Sequence, residues 1–247
     1  MAEGLKVFVL GPARSGTSIT YFALQRVFGL PGDGESHVVP AFQRVVFTFA
    51  RYCEQFGKSD GVLARRLDPR QFRAYVIGYL RDFYDQIYAD GNFVDKTPGA
   101  EAIAGVPLIQ EVFPEARIIV TKRTGIEVVQ SHVRKFGVGL VDACHAWSAS
   151  MEALRRVRLS SKNILEIEQH ELATTPIAIS IQIAAYLQYP DKAGELAAFF
   201  GANLTDRFSD HDWSERLLIS DTSWTGEERQ TFTEICGGQM KEFGYPM

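Results

Sequence analysis

Cysteine is scarce in this 247-residue sequence, and its three cysteines, Cys53, Cys144 and Cys236, are far apart and never form a C-x-x-C pair. That spacing supports neither a disulfide framework nor a zinc knuckle. The histidines that lie outside the motifs discussed below show no metal-ligand spacing either. We therefore predict that the protein holds no metal.

Positive charge is in deficit, since 26 Lys and Arg residues face 30 Asp and Glu residues and leave a formal net charge of −4. No basic field favours nucleic acid, so we predict no nucleic-acid partner. Long apolar runs are also lacking. The stretch 177–187 is interrupted by Ser180 and Gln182 and is shorter than the roughly 18–20 residues that cross a bilayer. We expect no membrane span.

The beginning of the sequence has no basic segment followed by a long apolar one, and residues 1–6 lead directly into the apolar run 7–10. A secretory signal needs both features, so we expect a cytoplasmic protein. The composition, with 46% hydrophobic and 23% charged residues, is typical of one globular domain, which we assign to residues 1–247.

Short apolar runs alternate with helical patterns along the chain. Strands are predicted at residues 7–10, 92–95, 116–121 and 163–168. Helices are predicted at residues 17–28, 41–56, 68–89, 97–113, 124–135, 141–159, 175–187, 191–200 and 227–243. Parallel strands need long crossovers, so this alternation predicts an α/β fold with a central, mostly parallel sheet flanked by helices. Residues 33–91 are predicted to form a mainly helical insertion, and residues 201–247 an irregular segment and a helix.

A glycine-rich turn follows the first predicted strand and opens the first predicted helix. Backbone N–H groups and the helix dipole at such a turn bind phosphate or sulfate. The spacing is that of a phosphate-binding P-loop, but Thr17 stands where an ATP-cleaving loop has lysine. Arg14 instead places a cation inside the loop, where it stabilises charge on a departing oxygen. We predict an anion site formed by Arg14, Ser15, Gly16, Thr17 and Ser18.

A second pair of residues follows the strand predicted at residues 116–121. Arg123 stands just past the strand end, and Ser131 lies eight residues further on, in the next predicted helix. Ligands of open α/β sheets bind outside the carboxyl ends of the strands. Arg123 and Ser131 are therefore expected to face the same crevice as the glycine-rich turn.

These two motifs, in this order, resemble the sulfotransferase family that uses 3′-phosphoadenosine 5′-phosphosulfate (PAPS), in its bacterial or carbohydrate-acting branch. The family's 5′-phosphosulfate loop, P-x-(K/R)-S-G-T-(T/S), matches residues 12–18, and its 3′-phosphate motif matches residues 113–131, from Phe113 to Ser131. The resemblance implies a P-loop-like three-layer sandwich. It also implies that Arg123 and Ser131 bind the 3′-phosphate of PAPS.

Weaker matches extend the resemblance. Residues 95–98 are similar to the family's K-T-P segment, residues 164–176 to its Y-E-D-L stretch, and residues 242–245 to its usual ending. Lys96 comes after the strand predicted at residues 92–95, where it is expected to stabilise charge on the transferring sulfuryl group or to orient the acceptor. Two features depart from the pattern, since the R-K-G loop of animal cytosolic members is absent and Thr124-Gly125 replaces Asp-Pro.

Transfer to a hydroxyl needs a base for the acceptor proton. Glu35 and His37 follow the first helix, and the pair resembles the E-x-H of heparan-type sulfotransferases, in which the glutamate is the usual base. Glu35 is our first candidate and His37 the second. Histidine titrates near neutral pH, whereas Glu35 needs its pKa raised by desolvation or by a neighbouring charge to reach the working pH.

The sequence thus predicts a metal-independent enzyme that moves a sulfuryl group from PAPS to a hydroxyl or amine of a carbohydrate or small-molecule acceptor and releases 3′,5′-ADP. Two other interpretations remain open. One is a P-loop kinase or nucleotide hydrolase, and the other is a non-catalytic nucleotide-binding module. In the transferase interpretation, the insertion at residues 33–91 is expected on the acceptor side. The identity of the acceptor and the oligomeric state are not predicted.

Overall fold

The computed structural model of the protein describes residues 4–161, 163–204 and 215–247. The strands, in chain order, are β1 (Lys6–Gly11), β2 (Phe93–Pro98), β3 (Arg117–Lys122) and β4 (Ile164–Glu168). The α-helices are α1 (Thr17–Phe28), α2 (Val38–Phe56), α3 (Pro69–Ile87), α4 (Ala100–Ala104), α5 (Val106–Val112), α6 (Gly125–Phe136), α7 (Leu140–Ser160), α8 (Gln169–Thr174), α9 (Pro176–Leu187), α10 (Ala193–Leu204) and α11 (Gly226–Glu242).

The strands form a parallel four-stranded sheet in the order β2-β1-β3-β4. β1 is central, and its Val9 pairs with Lys96 of β2 and with Ile119 of β3. The carboxyl ends of all four strands therefore lie at one edge of the sheet. The glycine-rich turn that leaves β1 is placed between the ends of β2 and β3.

Both faces of the sheet are covered by helices. Successive residues of a strand point to opposite faces, so Val7 and Val9 pack with α1, α9 and α10, whereas Phe8 and Leu10 pack with α3, α4, α5 and α7. All four of these side chains are buried. The predicted three-layer α/β sandwich is confirmed.

A third core lies beside the sheet, where α6, α7 and α11 pack around the buried Trp147. The region between residues 33 and 91 is mainly helical and contains α2 and α3. Helix α3 begins as predicted, because Asp68 caps it through a 2.8 Å bond from the Arg70 N–H and Pro69 occupies the first turn. Its Leu80 and Tyr84 pack against the sheet.

The prediction that Thr97 and Pro98 open a helix is wrong. Both residues extend β2, pairing with Leu10 and Gly11 of β1, and the Gly99 N–H donates to the Gly11 carbonyl at 2.8 Å. The neighbouring strand β1 continues to Gly11 and supplies the pairing partners of Thr97 and Pro98. Local sequence patterns carry no information about such partners. Lys96 consequently lies within β2 and not after its end.

The single helix predicted from residue 97 to residue 113 is two helices, α4 and α5. Pro107 is the cause, because a proline inside a helix removes one hydrogen bond and clashes with the preceding turn. It is tolerated in the first turn of α5, after Gly105 has ended α4. A short helix that was not predicted, α8, follows β4 directly.

The C-terminal prediction is tested only in part, since residues 205–214 lie outside the described residues. Helix α10 reaches Leu204, and α11 occupies Gly226–Glu242, close to the predicted 227–243. Among the helices of the described residues, none is both long and apolar enough to cross a membrane.

Candidate active site

The glycine-rich turn adopts a backbone that only certain residues tolerate. Gly16 has φ 97° and caps α1, and Gly11 has φ 150°. A β-carbon at Gly11 would lie 2.3 Å from the Thr121 carbonyl oxygen, so only glycine fits there. Arg14 has φ 72° although it is not a glycine, and a left-handed conformation at such a residue costs about 1 kcal/mol. The loop holds this arginine in a strained position.

Ser15 is fully buried beneath the loop. Its Oγ lies 2.6 Å from the Pro12 carbonyl oxygen and 2.8 Å from Thr121 Oγ1. The hydroxyl therefore joins the loop to the end of β3. Thr17 is also buried, whereas Ser18 is exposed in the first turn of α1.

Three of the predicted nucleotide-binding residues meet beside the loop, and we call Arg14, Arg123 and Ser131 the arginine cluster. Arg14 Nε donates to Ser131 Oγ at 3.0 Å, and Arg123 Nη1 donates to the Arg14 carbonyl at 3.4 Å. Arg123 also pairs with Glu127 at 3.2 Å. Because Trp147 Nε1 donates to the Arg123 carbonyl at 3.1 Å, the arginine is held at both its side chain and its backbone.

Positive charge is concentrated at this cluster. Burial and the nearby charges of Arg123 and Arg134 lower the pKa of Arg14, and burial lowers the pKa of Arg123 despite its pairing with Glu127. Guanidinium groups nevertheless stay protonated in proteins, so the charges of Arg14 and Arg123 repel each other. A bound anion would relieve that repulsion, which makes the arginine cluster suited to a phosphate group.

The predicted catalytic residues meet in a second group, the base cluster, which consists of Glu35, His37 and Lys96 together with Ser18. Lys96 Nζ lies 2.9 Å from Glu35 Oε1 and donates to Ser18 Oγ at 3.2 Å. His37 Nε2 lies 3.3 Å from the other carboxylate oxygen of Glu35. The lysine side chain is only 9% exposed, against 45% for Glu35 and 58% for His37, so the carboxylate and imidazole are open to a reactant.

The role of base at neutral pH favours a raised pKa for Glu35, but the surroundings of Glu35 lower its pKa. Partial burial raises it, but hydrogen bonds from Lys96 and His37 outweigh that effect and the pKa is lowered. Glu35 is consequently ionised at neutral pH. It is ready to accept a proton, although it is a weaker base than an unpaired glutamate.

A cleft of about 380 Å³ adjoins the loop and reaches the base cluster through His37. Pro12, Ala13 and His37 are among its lining residues, and α7 contributes Ala146 and Trp147. The walls are mostly small and apolar, while Arg44, Glu101, His37 and His132 supply the charged or titratable groups. A larger, open depression of about 740 Å³ near Phe22 and Phe199 contains none of the predicted site residues.

Sequence reasoning missed two residues that border the site. Gln169, the first residue of α8, is buried against the loop, and a β-carbon at Gly16 would lie 3.1 Å from its Cγ. Asp95 is buried in β2 behind the base cluster. Both residues lie in stretches that match the family weakly, 95–98 and 164–176. The sequence indicated no role for either, because their neighbours in the fold come from distant parts of the chain. Across residues 4–161, 163–204 and 215–247, no cluster of metal-ligating side chains occurs.

A comparison with protein-family models matches residues 6–193 to the sulfotransferase family. A search among curated proteins found no match.

Three solved structures share the fold at low sequence identity. The sulfotransferase domain of the Synechococcus PCC 7002 olefin synthase aligns with a TM-score of 0.59 and 17% identity, over 99% of this chain and 97% of that domain. Sulfotransferase STF9 from Mycobacterium avium aligns with a TM-score of 0.54 and 14% identity, over 100% of this chain and 79% of STF9. Sulfotransferase STF1 from Mycobacterium tuberculosis H37Rv aligns with a TM-score of 0.51 and 16% identity, over 96% of this chain and 77% of STF1.

Proposed function

The chain belongs to the sulfotransferase family, and from this premise we propose that it transfers a sulfuryl group from PAPS to a hydroxyl or amine of a small-molecule acceptor. The observation that carries the proposal is the meeting of the arginine cluster and the base cluster on either side of one glycine-rich loop. One cluster suits the anionic donor and the other suits the acceptor proton.

The donor occupies the carboxyl edge of the sheet in this proposal. Arg123 and Ser131 bind the 3′-phosphate, while Arg14 and the N-terminus of α1 face the 5′-phosphosulfate. Gly16 lets the backbone approach closely, and Ser15 fixes the loop to β3.

The reaction is an in-line displacement at sulfur. The acceptor oxygen forms a bond to sulfur, and the bond from sulfur to the bridging oxygen of the donor breaks. The electron pair of that bond leaves with 3′,5′-ADP. Glu35 takes the acceptor proton, with His37 as the second candidate, and Lys96 and Arg14 stabilise the charge that develops on the sulfuryl and bridging oxygens.

The cleft favours a small acceptor over a long saccharide. Its volume of about 380 Å³ is at the lower end of small-molecule sites, which span roughly 300–1,000 Å³. Alanine and proline side chains form much of its wall, and among the described residues its charged or titratable groups are limited to Arg44, Glu101, His37 and His132. An acceptor with an apolar body and one reactive hydroxyl fits this lining.

Donor recognition is tested by thermal unfolding of the wild type with 3′,5′-ADP or 5′-AMP. A ligand at 100 times its Kd stabilises the folded state by about 2.7 kcal/mol, so we expect 3′,5′-ADP to raise Tm by several degrees. Removing one charge-assisted bond weakens binding by roughly 10- to 150-fold. Arg123→Ala and Ser131→Ala should therefore weaken binding of 3′,5′-ADP while leaving that of 5′-AMP unchanged.

The matched control is Arg73→Ala, which removes a guanidinium bonded to Glu111 away from the site and should bind 3′,5′-ADP like the wild type. Equal stabilisation of the wild type by 5′-AMP would contradict the role given to Arg123 and Ser131. Transfer of ³⁵S from labelled PAPS to a panel of small alcohols and phenols tests the reaction itself. Magnesium-dependent ATP turnover without such transfer would favour the kinase interpretation.

A further inference from the structure

We infer that Asp95 is a positioning residue that holds the Glu35–His37 segment against β2, so that Glu35 meets Lys96 in the geometry the reaction needs. The inference rests on the proposed function for its catalytic consequence. Asp95 is 6% exposed, and none of the roles assigned above to the base cluster uses it.

Three hydroxyl groups converge on the Asp95 carboxylate. Ser36 Oγ and the Tyr84 hydroxyl both donate to Oδ2 at 2.6 Å, and Thr97 Oγ1 donates to Oδ1 at 3.2 Å. These donors come from the segment that holds the base, from α3 and from β2. One buried carboxylate therefore fastens three separate parts of the chain.

The segment that holds the base needs such an anchor. Its backbone is joined to β2 by one isolated bridge between Glu35 and Lys96, and four residues earlier the Pro31 carbonyl accepts a 2.8 Å bond from the Val94 N–H. The His37 N–H adds a 3.3 Å bond to Thr97 Oγ1, which in turn donates to Asp95. Because neighbouring residues of an extended chain point to opposite sides, holding Ser36 on Asp95 directs Glu35 towards Lys96.

A carboxylate at this depth is expensive for the fold. Burial raises the pKa of Asp95, although hydrogen bonds from Ser36, Tyr84 and Thr97 oppose the rise. An apolar side chain on β2 would pack there at lower cost. The role of the carboxylate is to position the segment that holds the base, because its bonded partner Ser36 lies between the two candidate bases, Glu35 and His37, in the sequence.

The inference is tested with Asp95→Asn and Ser36→Ala, with Tyr88→Phe as the matched control. Tyr88 lies just after α3, and its hydroxyl donates to the exposed Asp33 at 3.2 Å. We expect kcat to fall by roughly 10- to 100-fold in both test variants, since a shift of about 1 Å in a reacting group costs that much. The affinity for 3′,5′-ADP should stay unchanged, and Ser36→Thr should recover most of the activity.

A second measurement needs no turnover. The Glu35 carboxyl is titrated by ¹³C NMR and assigned by its absence in Glu35→Gln. Release of the segment separates Glu35 from Lys96, so the Glu35 pKa should rise in Asp95→Asn and Ser36→Ala and remain in place in Tyr88→Phe. Loss of a structural contact alone would lower the folded fraction without moving this titration.

An unchanged titration and unchanged kcat in Ser36→Ala would overturn the inference, and Ser36 is exposed enough that this variant should fold even where Asp95→Asn does not. If the wild type transfers no sulfuryl group but the two variants show the expected shifts in the Glu35 titration, the proposed function is refuted and the positioning role of Asp95 stands.

Discussion

At the scale of single residues, Lys96 is the member of the base cluster with the most constrained surroundings. It lies in β2 opposite Val9, its ammonium contacts Glu35 and Ser18, and it stands 5.9 Å from the centre of the Tyr21 ring. A cation in this position lowers the pKa of Glu35 and faces the start of α1. One side chain thus sets the charge state of the candidate base and adds positive charge beside the loop.

Lys96→Met separates these effects. We expect kcat to fall by about 10²- to 10³-fold, because a stabiliser of transition-state charge is lost. We also expect the acid limb of the kcat/KM profile to move to higher pH. In the wild type the pKa of Glu35 lies below its ordinary 4.5, so Glu35 stays ionised until the pH falls below that value. Without Lys96 the carboxylate takes up a proton at higher pH.

The control for this pH profile is Lys6→Met, which removes another largely buried lysine paired with a glutamate, Glu115, at 2.7 Å. It lies at the opposite end of β1 and should leave the acid limb in place. An acid limb that is unmoved in Lys96→Met but vanishes in His37→Asn would assign the proton to His37.

At the scale of elements, the contact between the end of β1 and the end of β3 determines the shape of the phosphate loop. Gly11 passes so close to Thr121 that an added β-carbon would lie 2.3 Å from the carbonyl oxygen and 2.6 Å from Oγ1 of that residue. Ser15 then closes the loop onto the same threonine. The loop is therefore shaped by a neighbouring strand as well as by its own sequence.

Gly11→Ala should force the two strands apart. We expect the free energy of unfolding to drop by about 3 kcal/mol, the upper end for overpacking a dense interior, and binding of 3′,5′-ADP to weaken. Urea unfolding with and without 3′,5′-ADP measures both effects. Gly29→Ala is the control, since Gly29 also has a positive φ, 67°, but its β-carbon would meet nothing within 4 Å. An equal loss in both variants would mean that backbone strain, and not the clash, is responsible.

At the scale of the whole molecule, an ionic network joins the last residues of the chain to the sheet. Glu166 of β4 pairs with Lys122 of β3 at 2.9 Å and with Arg158 of α7. Next to it, Glu168 accepts a 2.6 Å bond from the Tyr245 hydroxyl. These contacts connect β3, β4, α7 and the C-terminal end, so the network contributes to the stability of the whole fold.

Glu166→Gln tests that contribution through its pH dependence. Burial raises the pKa of Glu166, but hydrogen bonds from Arg158 and Lys122 outweigh burial and lower it below 4.5. Because the folded protein binds this proton less readily than the unfolded chain, the stabilisation is present above pH 4.5 and is lost as the pH falls through the lowered pKa. We expect the variant to be less stable by about 1–3 kcal/mol at neutral pH, because the partners of Glu166 lose a charged acceptor. Its stability should approach that of the wild type as the pH falls below the lowered pKa of Glu166.

Glu152→Gln is the matched control on α7. Hydrogen bonds from Arg155 and Arg156 lower the pKa of Glu152 to about 2, yet these pairs lie at the surface, where solvent screens them. Chemical denaturation should find the stability of Glu152→Gln close to that of the wild type, both at neutral pH and at the low pH used for Glu166→Gln. A constant difference between Glu166→Gln and the wild type across pH would show that lost packing, and not charge, explains the effect.

The sequence by itself determined the features that depend on neighbouring residues. The strand at β3, the cap at Asp68 and the glycine-rich turn each have a local signal, and the alternation of strands and helices was enough to establish the α/β sandwich. The spacing of Arg123 and Ser131 placed both beyond one strand, where parallel topology brings them to Arg14. Their roles in binding PAPS stay predictions.

The tertiary structure decided what depends on contacts between distant residues. Lys96 and Glu35 are 61 residues apart in the sequence. Only the folded structure brings them into contact, and that contact lowers the pKa of Glu35, whereas the role of base had suggested a raised one. Thr97 and Pro98 belong to β2 because β1 runs beside them, and the pairing in a sheet is invisible to local propensity. Asp95 looks like an ordinary polar residue in the sequence. Its importance comes from three hydroxyl groups that folding gathers around it, because burial makes each of those hydrogen bonds costly to lose.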